Sequence, residues 1–310
     1  MHRIRKRILV LCATRRGVAF IRRIHELHPE DDYTVVSFQG ESWEPDYIPE
    51  LEAAVVVAGA RLVIAKRVEL TTLYADGIFD LLFAVSWRYL VSREVWSRAK
   101  LGAYVFHDSL LPRYRGFSPT VWAMINGEPA TGVSLIEMAD AVDAGLLIDQ
   151  ERVEIERDEY IASVMERVTQ AYLRVLERTL PALLAGTARR TIQNEAEASY
   201  VCKRLPADNR INWSDPAVRV YNHIRACSAP YPGAFCFAGD QCVRVWFCEP
   251  PVVSPVYAGR VPGRVVEIVP GKGVRVLAGD HSLFLVEVQF EGAAVTRADL
   301  VFTSLATTLS

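Results

Sequence analysis

The hydrophobic period of this chain changes once, near residue 235, and that change limits the folds open to it. Before it, short apolar runs at residues 8–12, 33–38, 62–64, 80–85 and 103–106 alternate with helical intervals. Short apolar runs bounded by turn signals are buried strands. Strands that alternate with helices demand a mostly parallel sheet, because parallel neighbours need a crossover between them. Further strands are expected at 132–138 and 146–155, and a short helix at 119–126 with Trp122 and Ile125 on one face. Ile161, Val164, Val168, Ala171, Tyr172, Val175 and Leu176 share one face of a long helix at 160–184, which Gly186 ends. After residue 235, short strands at 242–247, 263–268, 273–277 and 283–288 are separated by Gly, Pro and Asp turns, the pattern of a small antiparallel barrel. The expected architecture is α/β: a Rossmann-like domain over 1–186, a polar linker over 187–208, and a barrel resembling the oligonucleotide-binding fold over 209–310.

Composition narrows the function classes. About half of the 310 residues are hydrophobic and the net charge is −2, enough apolar material for two cores. Residues 201–310 carry 11 Lys and Arg against 9 Asp and Glu, so no basic face for nucleic acid or an anionic membrane is expected. Six cysteines, at 12, 202, 227, 236, 242 and 248, lack the close pairing of zinc or redox motifs and read as reduced, packed thiols. No metal is expected. The start, Arg3-Ile4-Arg5-Lys6-Arg7 before Ile8-Leu9-Val10-Leu11, has too short an apolar run for a signal peptide. No segment reaches the ~20 uninterrupted apolar residues of a membrane span. A cytoplasmic protein is expected.

Candidate chemistry centres on residues 102–150. Gly102-Ala103-Tyr104-Val105-Phe106 runs into His107, then Asp108-Ser109-Leu110-Leu111-Pro112-Arg113-Tyr114-Arg115-Gly116, and Asp143-Ala144-Gly145 follows later. A histidine at a strand end takes and returns a proton near neutrality, and a nearby carboxylate fixes its tautomer and stabilises the imidazolium. His107 and Asp143 are the candidate pair.

The His-x-Ser-Leu-Leu-Pro loop, Tyr114-Arg115-Gly116, Asn126-Gly127-Glu128, Thr131-Gly132-Val133 and Asp143-Ala144-Gly145 resemble the folate-dependent formyltransferase family. The resemblance continues through Ala198-Ser199-Tyr200, Arg210-Ile211-Asn212-Trp213, His223-Ile224-Arg225-Ala226 and Tyr231-Pro232-Gly233-Ala234, which look like the linker and barrel entry of two-domain members. It implies transfer of a formyl group from N10-formyltetrahydrofolate to a primary amine, with His107 and Asp143 catalytic. It also implies that Trp87, Arg88, Tyr89, Leu90 and Asp140 contact the folate, and that Ser109, Leu110, Leu111, Pro112 and Arg115 contact the acceptor. Arg15 and Arg16, after the first strand, either meet an acceptor phosphate or are solvated surface.

Two departures bear on the acceptor and the rate. Family members acting on initiator tRNA carry a basic insertion where this chain has a short acidic loop at 39–49 with Glu41, Trp43, Glu44 and Asp46, and carboxylates repel a phosphate backbone. The aromatic-Arg-aromatic-Leu pattern at 87–90 looks closer to the sugar-nucleotide formyltransferases. The expected acceptor is therefore the amine of a nucleotide-linked amino sugar, and a homodimer is compatible with the sequence. The family asparagine before the histidine, an oxyanion donor, is Val105 here. Loss of one such donor typically costs about 2.7–4 kcal/mol. Either His107 and a backbone amide suffice, or Ser86, Ser109 or Ser118 substitutes, or the reaction differs. The alternatives are a methionyl-tRNA formyltransferase and a folate-binding or hydrolytic member. Asp108 is either a turn residue or a group that perturbs His107.

Overall fold

The computed structural model describes residues 4–40, 45–65, 79–252 and 255–310. Arg3 of the basic start and Glu41, Trp43 and Glu44 of the acidic loop lie outside the described residues. In chain order the elements up to the loop after His107 are β1 (Arg7–Cys12), α1 (Thr14–Leu27), β2 (Asp32–Ser37), α2 (Ile48–Val57), β3 (Arg61–Ile64), β4 (Phe79–Val85), α3 (Arg93–Trp96) and β5 (Ala99–His107). They are followed by β6 (Arg115–Gly116), α4 (Pro119–Ile125), β7 (Ala130–Glu137), β8 (Leu147–Glu154), α5 (Ile161–Ala185) and β9 (Tyr200–Val201). Two compact units result. The first comprises Met1–Gly116, Gly132–Val153 and Arg167–Tyr200, and the second Phe117–Thr131, Glu154–Glu166 and Val201–Ser310.

In the first unit the sheet order is β3-β2-β1-β4-β5-β7-β8. β1, β2, β3, β4 and β5 pair in parallel and β7 joins β5 antiparallel. From Ile8 to Cys12, β1 is no more than 2% exposed, as expected of a strand covered on both faces. One face packs Phe20 of α1 against Phe83 and Phe106, with Tyr172 of α5 stacked on Phe106 at 5.0 Å. The other gathers Leu9, Leu11, Val36, Leu82, Ala103 and Val95, with Trp87 alongside. The chain moves from β1 out to β2 and β3, then returns to β4 on the other side of β1. Such a reversal opens a crevice at the carboxyl ends of the strands, the usual ligand site of an open α/β sheet.

The second unit holds α6 (Ala217–Cys227), β10 (Ala234–Ala238), β11 (Gln241–Val252), β12 (Val265–Val269), β13 (Gly273–Leu277), β14 (Ser282–Phe290), β15 (Thr296–Arg297) and α7 (Ala298–Val301). The antiparallel order is β10-β11-β14-β13-β12. The last residues join its two edges. Ser310 and Phe237 of β10 exchange backbone bonds of 2.9 Å, while Leu309 donates to the Gly263 carbonyl at 2.8 Å and Val265 of β12 to Thr307 at 3.0 Å. Closure removes the free edges that an open sheet would present. Gly263 sits at φ 82°, and a Cβ there would lie 1.9 Å from the Leu309 carbonyl oxygen.

The units divide the chain at other residues than 186 and 208. Residues 117–131, expected with the first domain, pack in the second unit, where the Trp122 indole donates to the Cys202 carbonyl at 3.0 Å. Glu156 and Glu159 offer backbone carbonyls to the buried Arg225 guanidinium of α6 at 3.0 and 2.9 Å. Residues 187–200, expected as linker, belong to the first unit. All six cysteines are free thiols, and burial pushes Cys12, Cys236 and Cys248 up to about 12. Among the described residues no helix is long and apolar enough to cross a membrane. His28, Glu30 and Asp31 place ligand atoms within 4.8 Å of one another, but Asp31 already accepts the Lys6 N–H.

Candidate active site

β5 runs between β4 and β7, with Val105 opposite Ala84 and Ile136 and His107 opposite Ser134. Residues two apart on a strand share a face, so Val105 and His107 lie on the same side, away from the Phe106 and Tyr172 stack. His107 is 7% exposed. Its Nε2 lies 2.9 Å from the Tyr114 carbonyl oxygen, which can only accept, so Nε2 carries a proton. The neutral ring then has its lone pair on Nδ1. That atom lies 3.6 Å from Asp143 Oδ1, while Asp143 Oδ2 accepts the Gly116 N–H at 2.9 Å. The tautomer is thus fixed by a backbone carbonyl and not by the carboxylate. Asp143 is placed to stabilise the imidazolium formed when Nδ1 takes a proton.

Two of these positions have unfavourable backbone geometry. Tyr114 at φ 59° and Asp143 at φ 54° occupy the left-handed region. Each such residue costs on the order of 1–3 kcal/mol and persists only where its surroundings enforce it.

The loop after His107 is held by its neighbours. Ser109 Oγ donates to the Arg113 carbonyl at 2.7 Å, and Ser134 Oγ of β7 donates to the Ser109 carbonyl at 2.6 Å while accepting the Leu111 N–H at 3.0 Å. Gln150 of β8 donates to the Leu111 carbonyl and to Ser134 Oγ, both at 2.8 Å. The Leu111–Pro112 peptide is cis. Ser109 and Leu111 are therefore interior supports of the loop, and Leu110 and Pro112 are half-buried. A Cβ on Gly132 would lie 2.4 Å from Leu110 Cδ2 and 2.6 Å from the Glu151 carbonyl oxygen, so only glycine permits this approach.

The two arginines after β1 differ. Arg15 is exposed. Arg16 is 7% exposed, its Nη1 2.6 Å from Asp108 Oδ2 and 3.3 Å from Ser86 Oγ, with its guanidinium 4.5 Å above the Tyr172 ring. Tyr172 donates its hydroxyl to the other oxygen of Asp108. Asp108 is therefore the countercharge of a buried arginine. Arg115, at 1% exposure, is likewise engaged internally, Nη1 and Nη2 lying 2.9 and 2.6 Å from the Glu195 carboxylate.

At the carboxyl end of β4, Trp87 and Tyr89 pack edge-on to Phe38, with ring centroids at 5.3 and 5.0 Å, and Arg88 lies 4.6 Å over the Phe38 ring. Leu90 is 60% exposed. Asp140 pairs at the surface with Arg93 at 3.2 Å. Phe38, Ser134, Gln150 and Gln193 shape this region and were not singled out from the sequence, while Tyr114 was named only within the Tyr114-Arg115-Gly116 motif. Phe38 could have been found, as the aromatic that ends the second apolar run. The others carry no local signal.

Residues 54–180 match the family described as formyl transferase, and residues 205–305 match its C-terminal domain. Among solved structures, HypX from Aquifex aeolicus in complex with tetrahydrofolic acid superposes with a TM-score of 0.64 at 21% identity, covering 96% of this chain and 47% of its own. The present chain spans about half the length of that protein. The N-formyltransferase from Helicobacter canadensis, in complex with folinic acid and dTDP-3-aminofucose, gives 0.68 at 15% identity, covering 91% of this chain and 99% of its own. Methionyl-tRNA formyltransferase from Clostridium thermocellum gives 0.56 at 16% identity, covering 79% and 93%. At these identities the superpositions speak for the fold alone. The two family matches, one in each part of the chain, together with the His107 loop and the Asp143 turn, show that this chain belongs to the folate-dependent formyltransferase family.

Proposed function

We propose that the chain transfers a formyl group from N10-formyltetrahydrofolate to the primary amine of a nucleotide-linked amino sugar. The observation that carries this reading is the His107 and Asp143 pair at the carboxyl end of β5, one strand from the aromatic segment that follows β4. The likeness to the Helicobacter canadensis enzyme, with folinic acid and a dTDP-linked amino sugar, supports the choice of acceptor.

In this reading the uncharged amine attacks the formyl carbon and His107 Nδ1 takes the amine proton. Asp143 stabilises the resulting imidazolium. Collapse of the tetrahedral intermediate breaks the bond from the formyl carbon to N10, and the imidazolium returns the proton to the leaving nitrogen, so charge and protons balance. Trp87, Tyr89 and Leu90 provide the apolar wall for the folate ring and Arg88 a charged donor. Among the arginines after β1, exposed Arg15 is the one free to approach an acceptor phosphate, because Arg16 is committed to Asp108.

Val105 favours a second reading, a divergent member that hydrolyses or only binds the folate, since neither Ala84 nor Ile136 beside it carries a side-chain donor. One experiment separates the readings. The protein is incubated with N10-formyltetrahydrofolate and a pool of nucleotide-linked amino sugars, beside a His107→Ala control, and the products are weighed by mass spectrometry. A formyl increment on one component, absent in the control, is the expected result. Donor consumption with release of formate would make the protein a hydrolase. An intact donor would refute transfer to this class of acceptor.

A further inference from the structure

We propose that Gln193 is a positioning residue that sets the distance between His107 and Asp143 by joining the end of the loop that follows one to the turn that carries the other. The inference rests on the reading of those two residues as the acid–base pair. Gln193 is 7% exposed and lies in a segment expected from the sequence to be a linker. Its Oε1 accepts from Arg115 Nη2 at 2.8 Å. Because arginine can only donate, the amide orientation is fixed and Nε2 faces the other way. There it donates to the Asp143 and Gly145 carbonyls at 2.9 and 2.8 Å. Both hydrogens of the amide are therefore spent on the turn that holds the carboxylate.

The rest of the segment reinforces this bridge. It begins with Thr191 exchanging backbone bonds with Leu147 at the start of β8, at 2.8 and 2.9 Å. It ends with Ser199, whose Oγ accepts the Tyr114 N–H at 2.9 Å and whose carbonyl accepts the Arg115 N–H at 2.8 Å. Tyr114 is the residue whose carbonyl fixes the His107 tautomer. Glu195 pairs with both terminal nitrogens of Arg115, so the guanidinium that orients Gln193 is itself held. One stretch of backbone therefore anchors both partners. The turn it grips has little freedom to adjust, since a Cβ on Gly145 would lie 1.8 Å from the Glu137 carbonyl oxygen.

Gln193→Glu tests the bridge, because a carboxylate still accepts from Arg115 but donates nothing to the turn. Ring nitrogens of His107 are read by long-range proton–nitrogen NMR on the full chain without substrate, in the wild type, Gln193→Glu and Asp143→Asn. The expected result is a His107 Nδ1 resonance in Gln193→Glu displaced toward its position in Asp143→Asn, with kcat for formyl transfer down about 10–100-fold and the KM for the folate within twofold. Gln193→Met, which also lacks the donor, replaces Gln193→Glu if that variant does not fold. A folded variant with a wild-type His107 spectrum overturns the proposal, as does a change confined to the folate KM. A wild-type protein without transferase activity would refute the proposed function, and the ring-nitrogen comparison alone would then decide the role of Gln193.

Discussion

Val105 puts an isopropyl group on the His107 face of β5, between the side chains of Ala84 and Ile136. If formyl transfer is the reaction, the oxyanion there relies on backbone N–H groups and the protonated His107. We expect Val105→Asn to raise kcat about 10–100-fold, short of the full value of one oxyanion donor, with little change in KM. Single-turnover kinetics would measure it, and a fall in rate would mean that the isopropyl group itself serves the reaction. At this scale the approach of His107 to Asp143 was legible, because a titratable side chain at the end of an apolar strand and a carboxylate in a Gly-terminated turn are local patterns. The states of Arg16 and Arg115 were not. Their countercharges, Asp108 and Glu195, lie 92 and 80 residues away in sequence, and nothing local distinguishes a buried arginine from a solvated one. Gln193 was hidden for the same reason, since an amide with all its partners on other segments looks like any polar residue of a linker.

Strands and helices were easier to read than their joins. The apolar runs that became β1, β2 and β4 and the face of α5 follow from period alone, whereas β10 at Ala234–Ala238 and the pairing of residues 307–310 depend on partners that the sequence does not announce. The contact of α1 with α5 and the residue after β5, through Arg16, Tyr172 and Asp108, is of this hidden kind, and it locks the end of β5. Breaking one side of a buried ion pair leaves the other charge uncompensated. Arg16→Met should therefore cost about 3 kcal/mol, at the low end for such pairs because Asp108 is partly solvated. Urea unfolding would measure the loss. Arg15→Ala, one residue away and exposed, should leave the midpoint unchanged while weakening a phosphate-bearing acceptor.

Stability of the whole chain should carry a signature of α6. Burial lowers His223 from its usual 6.5, more than the Asn209 backbone bond raises it. The unfolded chain therefore takes up the proton first as pH falls, so stability is complete above pH 6.5 and declines below it. Each unit of depression corresponds to about 1.4 kcal/mol. Urea midpoints at pH 7.5 and 5.5 should differ more for the wild type than for His223→Gln, and equal differences would remove His223 as the cause. The paired edges of the barrel have a further consequence, for vectorial synthesis. Ser310 closes on Phe237 of β10, and Thr307 and Leu309 close on Val265 and Gly263 at the β12 edge, so a nascent chain that has emerged only as far as β15 has made the strands of the sheet and still has both edges open. Until residues 307–310 leave the ribosome, the β10 and β12 edges can pair with another copy. The hazard window for this unit thus lies between the emergence of β15 and that of residue 310, and chaperone protection would matter most there.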